Sequence, residues 1–324
     1  MTLRALFESA RARRLALGLP SAETNAYRLF HGAAEGLEGL TVDVYGEFLV
    51  ASLYTEQRGA REEEWLDALH ELGFRGVYLK HRPKQANELR DDERRVRAPE
   101  QAVRGEDAPV SFEIRESSLP FQVRLGDGLS TGIFLDQRDN RAHLGQIARG
   151  KRVLNLFAYT CGFGLAAALG GAAETTNIDV AVPVLERGKL NYQAAGLDLE
   201  GHRFLARDVL DSLPRLARRG ERFEIVALDP PSYASVKGKG RFNVEQDYTE
   251  LARLALSVLS PGGTLLACTN HARLTEKDLE VCLRSAARAL GRSLNAVRFV
   301  APPADFPAPP GRPGHLKSAF VSCA

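Results

Sequence analysis

Along this chain the rhythm of apolar and polar positions changes near residue 128, and the change predicts two differently built parts. N-terminal to it, apolar runs are short and separated by turn residues. Residues 40–45 and 48–54 flank Gly46-Glu47, a hairpin signal. A helical pattern at 61–72, a strand at 76–80, and a strand pair at 111–114 and 120–125 complete a β-rich α+β domain over 21–127. Residues 81–108 are polar, charged and broken by Pro83 and Pro99, which predicts a connection. Ahead of this domain, residues 1–20 form a basic amphipathic pattern, a helix docked by Leu3, Leu6, Leu15 and Leu17.

From 128 to 324 compact apolar runs alternate with longer amphipathic ones. Strands are expected at 153–157, 174–179, 203–206, 224–228 and 263–268, with helices starting at 163 and covering 182–195, 244–259 and 275–290. Strands at 294–300 and 319–322 follow, joined by a Pro-rich loop over 301–315. Strand–helix alternation predicts a mostly parallel α/β sheet of the Rossmann-like kind, covered on both faces.

Composition narrows the function. The 324 residues are 44% hydrophobic and 26% charged, enough for a sizeable core. Lys and Arg number 43 against 41 Asp and Glu, a balance that does not by itself demand a nucleic-acid partner. The four cysteines form no CxxC pair and no zinc spacing, so no metal is expected. No secretory signal or membrane-length apolar run is visible, which makes a cytoplasmic protein without a membrane partner the expectation. A homodimer is compatible with the sequence but nothing in it requires one.

In open α/β sheets ligands bind beyond the carboxyl ends of the strands. Candidate chemistry collects there. After the first strand of the second part comes Ala158-Tyr159-Thr160-Cys161-Gly162-Phe163-Gly164. Asn155, Phe157, Tyr159, Thr160, Gly162 and Gly164 are the residues expected to shape a cofactor cradle there. Asp179 ends the second strand, beside Val180, and can accept hydrogen bonds from a ribose diol. Asp208 follows the third and can accept from an adenine amino group. Asp229-Pro230-Pro231-Ser232-Tyr233 follows the fourth. Gly162-Phe163-Gly164-Leu165-Ala166-Ala167 also matches a dinucleotide fingerprint, G-x-G-x-x-A. A hydride-transfer enzyme has no need of the Asp-Pro-Pro-Ser-Tyr turn. Methyltransferases use such a turn to present backbone carbonyls and an aromatic face to a planar base. The constellation therefore favours an S-adenosylmethionine (SAM) site.

These pieces, with Asn25-Ala26-Tyr27-Arg28-Leu29, the stretch 36–46 and Thr131-Gly132-Ile133-Phe134-Leu135-Asp136-Gln137-Arg138-Asp139-Asn140-Arg141, resemble the RlmI-type family of large-subunit ribosomal RNA methyltransferases. The resemblance covers about residues 21–324. It implies a class I methyltransferase sheet with an antiparallel last strand, SAM as cofactor, and an RNA base, most simply ribosomal, as substrate. It also implies that Phe134, Asp136 and Arg138 border the methionine end of the cofactor. Asp229, Pro230, Pro231 and Tyr233 are then expected to present the target. Lys237, Lys239 and Arg241, alternating with glycines beside that turn, are candidate phosphate contacts.

Three departures stand out. Family members carry an N-terminal PUA domain, and only about 20 residues precede the β-rich part here. Cys161 stands where the family has glycine. The family's nucleophilic cysteine, which activates cytosine carbon-5 by adding at carbon-6, aligns with Asn270, while Cys268 sits two residues earlier. Thr269-Asn270-His271-Ala272-Arg273 is similar instead to the stretch of RlmK-type guanine-N7 enzymes, where Asn270 would hydrogen-bond the base edge. Cytosine carbon-5 through Cys268 and guanine N7 beside Asn270 both stay open. A small-molecule methyltransferase and a catalytically silent RNA-binding descendant are the competing classes.

Overall fold

The computed structural model describes residues 2–54, 60–82, 96–236 and 240–323. The chain divides into two compact units, Met1–Leu135 with Pro303–Arg312, and Asp136–Pro302 with Pro313–Ala324.

In the first unit, helix α1 (Leu3–Ala16) starts where the Thr2 hydroxyl accepts the Ala5 N–H at 3.2 Å, satisfying a free N-terminal donor. Strands β1 (Ala26–His31), β2 (Leu40–Tyr45), β3 (Phe48–Leu53), β4 (Gly76–His81) and β5 (Arg104–Gly105) form one sheet in that order. β3 and β4 are parallel, so the chain must cross over between them, and α2 (Ala60–His70) lies in that connection. Phe7, Phe30, Leu49, Trp65, Leu69 and Val77 fill the core. β6 (Phe112–Glu116) and β7 (Leu119–Val123) form a hairpin. Ser117 and Ser118 have φ of 49° and 66°, the left-handed pair that a two-residue hairpin turn requires. The Pro-rich 301–315 stretch does more than join two strands. Asp305, fully buried, accepts the Arg28 N–H at 2.9 Å through its carboxylate, and its carbonyl accepts from Arg14 at 2.9 Å.

The second unit begins with α3 (Arg138–Ile147), followed by β8 (Arg152–Leu156), α4 (Gly162–Leu169), β9 (Glu174–Asp179), α5 (Val182–Ala194), β10 (His202–Ala206), α6 (Val209–Arg218) and β11 (Phe223–Leu228). A two-stranded arm, β12 (Tyr233–Val236) with β13 (Gly240–Asn243), leads into α7 (Val244–Ser257). β14 (Leu259–Thr269), α8 (Glu276–Ala289), β15 (Leu294–Val300) and β16 (Lys317–Cys323) complete the unit. The seven-stranded sheet runs β10-β9-β8-β11-β14-β16-β15, parallel from β10 to β14, with β16 antiparallel to both its neighbours. This is the expected Rossmann-like class I architecture. Leu154, Leu156, Ile178, Val226, Leu228 and Leu265 are buried on the central strands, as both-face coverage demands.

Two local differences have physical reasons. α6 carries Pro214 in its interior, which masks a helical pattern because proline removes an N–H donor; Asp208 caps its start. β14 extends four residues earlier and one later than the apolar run 263–268, so Cys268 lies inside the strand. Among the described residues no helix is long and apolar enough to cross a membrane, and no group of three His, Cys, Asp or Glu could hold a metal ion.

Candidate active site

Because β8 to β11 and β14 run in one direction, Leu156, Asp179, Ala206, Leu228 and Thr269 end on one edge of the second unit. The loop after β8 is unusually bent. Phe157, Tyr159 and Cys161 have φ of 55°, 49° and 63°, left-handed conformations that side chains with a Cβ rarely adopt. Three alternating residues of this kind mark a loop shaped for function. The bend turns the Tyr159 N–H onto Asp179 Oδ2 at 2.9 Å, while the Ala181 N–H donates to Oδ1 at 3.0 Å. Each Asp179 oxygen keeps a lone pair, and the residue is half-buried. Val180 and Val182 beside it are 66% and 54% exposed. A fixed carboxylate next to uncovered apolar surface suits a nucleoside, the diol on the acid and the purine against the valines. The residues present thus fit the nucleoside half of SAM.

Several predicted cradle residues act from behind this surface. Asn155 is 1% exposed and donates to Asn177 Oδ1 at 2.9 Å, so it stiffens the sheet rather than lining the cradle. The Thr160 carbonyl accepts from Asn191 at 3.0 Å. A Cβ on Gly164 would meet Asn177 Oδ1 at 2.1 Å and the Tyr192 hydroxyl at 2.6 Å. Glycine is therefore required there by helix–strand packing, not by ligand approach as the sequence suggests. Gly162 is half-buried at the first position of α4. Cys161 is fully buried, and burial pushes its thiol well above the usual range, which suits a filler of a tight turn. Asp208 Oδ1 accepts the Asp211 N–H at 3.0 Å, a capping role that sequence reasoning missed.

The 131–141 string divides between the units. Phe134, 51% exposed, belongs to the first. In the second, Asp136 Oδ2 lies 2.8 Å from His315 Nε2, and Arg138, 8% exposed, opens α3 with its Nε 3.6 Å from Asp139. Gln137 was not singled out in the sequence, yet its Nε2 donates to Asp229 Oδ2 at 3.0 Å. Burial first, and the nearby Asp136 charge second, push the Asp229 carboxyl up to about 7; Gln137 and Arg141 act in the opposite sense.

At the exit of β14 the two candidate residues separate. Cys268 is 0% exposed in a core cluster with Leu144, Phe163 and Phe320. Its Sγ faces Ser318 Oγ at 3.6 Å and Gln137 Oε1 at 3.8 Å. Burial and the Asp229 charge push the thiol well above its usual range, the opposite of what a thiolate nucleophile needs. Asn270 is exposed, and its Oδ1 accepts from the Ser232 hydroxyl at 2.8 Å, tying the β14 exit to the Asp-Pro-Pro-Ser turn. Pro230 is buried and Pro231 exposed. Lys317 Nζ, itself buried, donates to the His271 carbonyl at 2.7 Å and fixes the loop from below. Tyr233 opens β12 and Arg241 lies in β13; Lys237 and Lys239 fall outside the described residues.

A class I sheet with a left-handed, bent loop after β8, a carboxylate fixed by two backbone N–H groups and an Asp-Pro-Pro turn on one edge is the architecture of a SAM-dependent methyltransferase. The chain belongs to the S-adenosylmethionine-dependent methyltransferase family, whose profile matches residues 27–318, and its cofactor is SAM. It is 32% identical to Ribosomal RNA large subunit methyltransferase I of Photobacterium profundum, over 87% of this chain and 70% of the relative. To the Ribosomal RNA large subunit methyltransferase of Deinococcus radiodurans it is 34% identical, over 89% and 71%. The crystal structure of SMU.776 complexed with SAH superposes with a TM-score of 0.88 at 31% identity, covering 99% of this chain and 80% of the other. A SAM-dependent methyltransferase from Streptococcus mutans gives 0.86 at 30% identity, covering 99% and 82%.

Proposed function

We propose that this enzyme methylates a ring or amino nitrogen of a base in ribosomal RNA, with guanine N7 as the leading atom. The relatives' names support the RNA class. The observation that carries the choice of atom is the exit of β14, where the Cys268 sulfur is buried in the core and an exposed asparagine takes the forward position. Carbon-5 of cytosine needs a thiolate to make the ring electron-rich. A nitrogen lone pair needs position and a compatible field.

Bound SAM supplies an electrophilic methyl group. Asp179 and Asp208, with Phe157, Tyr159, Gly162 and Val180, would hold its nucleoside, and Asp136 and Arg138 would lie toward its methionine end. Asp229 and the backbone of Pro230-Pro231 orient the target base, and Asn270, held by Ser232, hydrogen-bonds its edge. Lys237, Lys239 and Arg241 meet RNA phosphates.

Transfer of a tritiated methyl group to ribosomal RNA from a strain lacking the gene tests this reading. Asn270→Ala is expected to lower the rate on the order of tenfold, one hydrogen bond's worth of transition-state positioning. Cys268→Ala is expected to keep it. The opposite pattern, with Cys268→Ala inactive and Asn270→Ala normal, would support carbon-5 chemistry and overturn the proposal.

A further inference from the structure

Gln137 sits between the two prominent charges Asp136 and Arg138, and its side chain reaches the turn after β11. Nε2 donates to Asp229 Oδ2 at 3.0 Å. Oε1 accepts from Asn140 Nδ2 at 2.6 Å and faces the Cys268 thiol at 3.8 Å. Asn140 Nδ2 also donates to Ser318 Oγ at 2.8 Å. Gln137 and Asn140 are each 3% exposed, so solvent does not compete for these bonds. The carboxamide has one favourable orientation. Flipped, it would set its oxygen against the Asp229 carboxylate and its NH2 against that of Asn140. From the end of the short 3-10 turn Leu135–Gln137 it meets the turn after β11, the start of α3 and the inside of β14, and through Asn140 the start of β16.

We propose that Gln137 is a positioning residue for methyl transfer, locked by Asn140 and Ser318 so that it holds the Asp229 carboxyl at the turn presenting the target base. The inference rests on the reading of Asp229 as part of that target site. The titratable groups facing Asp229 are Asp136 from the 3-10 turn, Arg141 from α3, Tyr248 from α7 and Cys268 from β14. Asp136 opposes ionisation of Asp229, and Arg141 and Gln137 favour it. Tyr248 is neutral in this range, and it is anchored elsewhere, its hydroxyl donating to the Cys268 carbonyl at 3.0 Å. Removing the Gln137 donor therefore moves the Asp229 titration upward.

Infrared titration of the carboxyl stretch reads this directly, with the Asp229 band isolated as the difference between the wild type and Asp229→Asn. Gln137→Leu is expected to raise the midpoint by about one pH unit, the worth of a hydrogen bond to a charged acceptor. Gln137→Glu should raise it further, because a like charge disfavours ionisation. Ser318→Ala, a single-hydroxyl deletion that leaves the Gln137 side chain intact but loosens its lock, should shift it less and in the same direction, and it decides the question if the Gln137 variants do not fold. The pH dependence of kcat on ribosomal RNA should move by the same amount as the band, with KM for SAM near the wild-type value. An unchanged midpoint in a folded variant overturns the proposal, as does a rate lost equally at every pH. If the wild type methylates no ribosomal RNA, the RNA reading falls, while the infrared titration still decides the role of Gln137.

Discussion

Cys268 and Asn270 are two residues apart, and an alternating strand would place them on one face. On sequence alone a reactive cysteine therefore stays open. In the fold the strand continues through Thr269, so Cys268 packs inward while Asn270 has already left the sheet. Burial of a small thiol is invisible to local pattern, because it depends on Leu144, Phe163 and Phe320 arriving from distant parts of the chain. Gln137 was missed for a related reason. A glutamine between an aspartate and an arginine carries no signal of its own until Asp229 and Asn140 stand beside it. Asp229 gives a prediction at the same scale. Its folded-state titration, raised to about 7, lies above the ordinary 3.8, so the folded protein binds this proton more tightly than the unfolded chain. The associated stability is complete below the ordinary carboxylate range and is lost as pH rises through about 7. Melting temperatures of the wild type and Asp229→Asn, compared at pH 5 and pH 8, should diverge less at the lower pH; equal differences at both would contradict the assignment.

At the scale of elements, the order of strands and helices in the second unit was legible because its central strands are short apolar runs and its glycines and aspartates sit at their ends. The exceptions were α3, the β12–β13 arm and α6, the last concealed by Pro214 and betrayed only by the Asp208 cap. Asp208 should therefore carry two roles that separate on substitution. Asp208→Asn retains a capping oxygen and should keep stability within a few tenths of a kcal/mol, whereas Asp208→Ala should cost about 1 kcal/mol by thermal or chemical unfolding. If Asp208 also touches adenine, both variants weaken SAM binding by calorimetry. Gly164 makes a sharper case. A methyl group there meets Asn177 and Tyr192 at 2.1 and 2.6 Å, so Gly164→Ala should destabilise by roughly 1–3 kcal/mol through overpacking. Unchanged unfolding would show that glycine is kept for the ligand instead.

For the whole molecule, the sequence placed a boundary near 128, whereas the compact units divide after Leu135 and return Pro303–Arg312 to the first. That return rests on buried partners such as Asp305 with Arg28 and Arg14, which a Pro-rich loop does not advertise. RNA engagement belongs to this scale too. With a formal charge of only +2, binding must come from local clusters rather than from net attraction. Replacing Lys237, Lys239 and Arg241 together by alanine should weaken RNA binding uniformly across sequences. The salt slope should fall by about one for each phosphate that is no longer neutralised. An unchanged slope would remove these three residues from the interface.

The central claim, methylation of a base nitrogen in ribosomal RNA, is tested most directly by mass-spectrometric mapping of modified nucleosides in ribosomal RNA from a strain lacking the gene. The account predicts the loss of one N-methylated nucleoside, 7-methylguanosine first among them, restored by the wild-type and the Cys268→Ala genes alike. Loss of a 5-methylcytidine, restored by the wild type but not by Cys268→Ala, would contradict it.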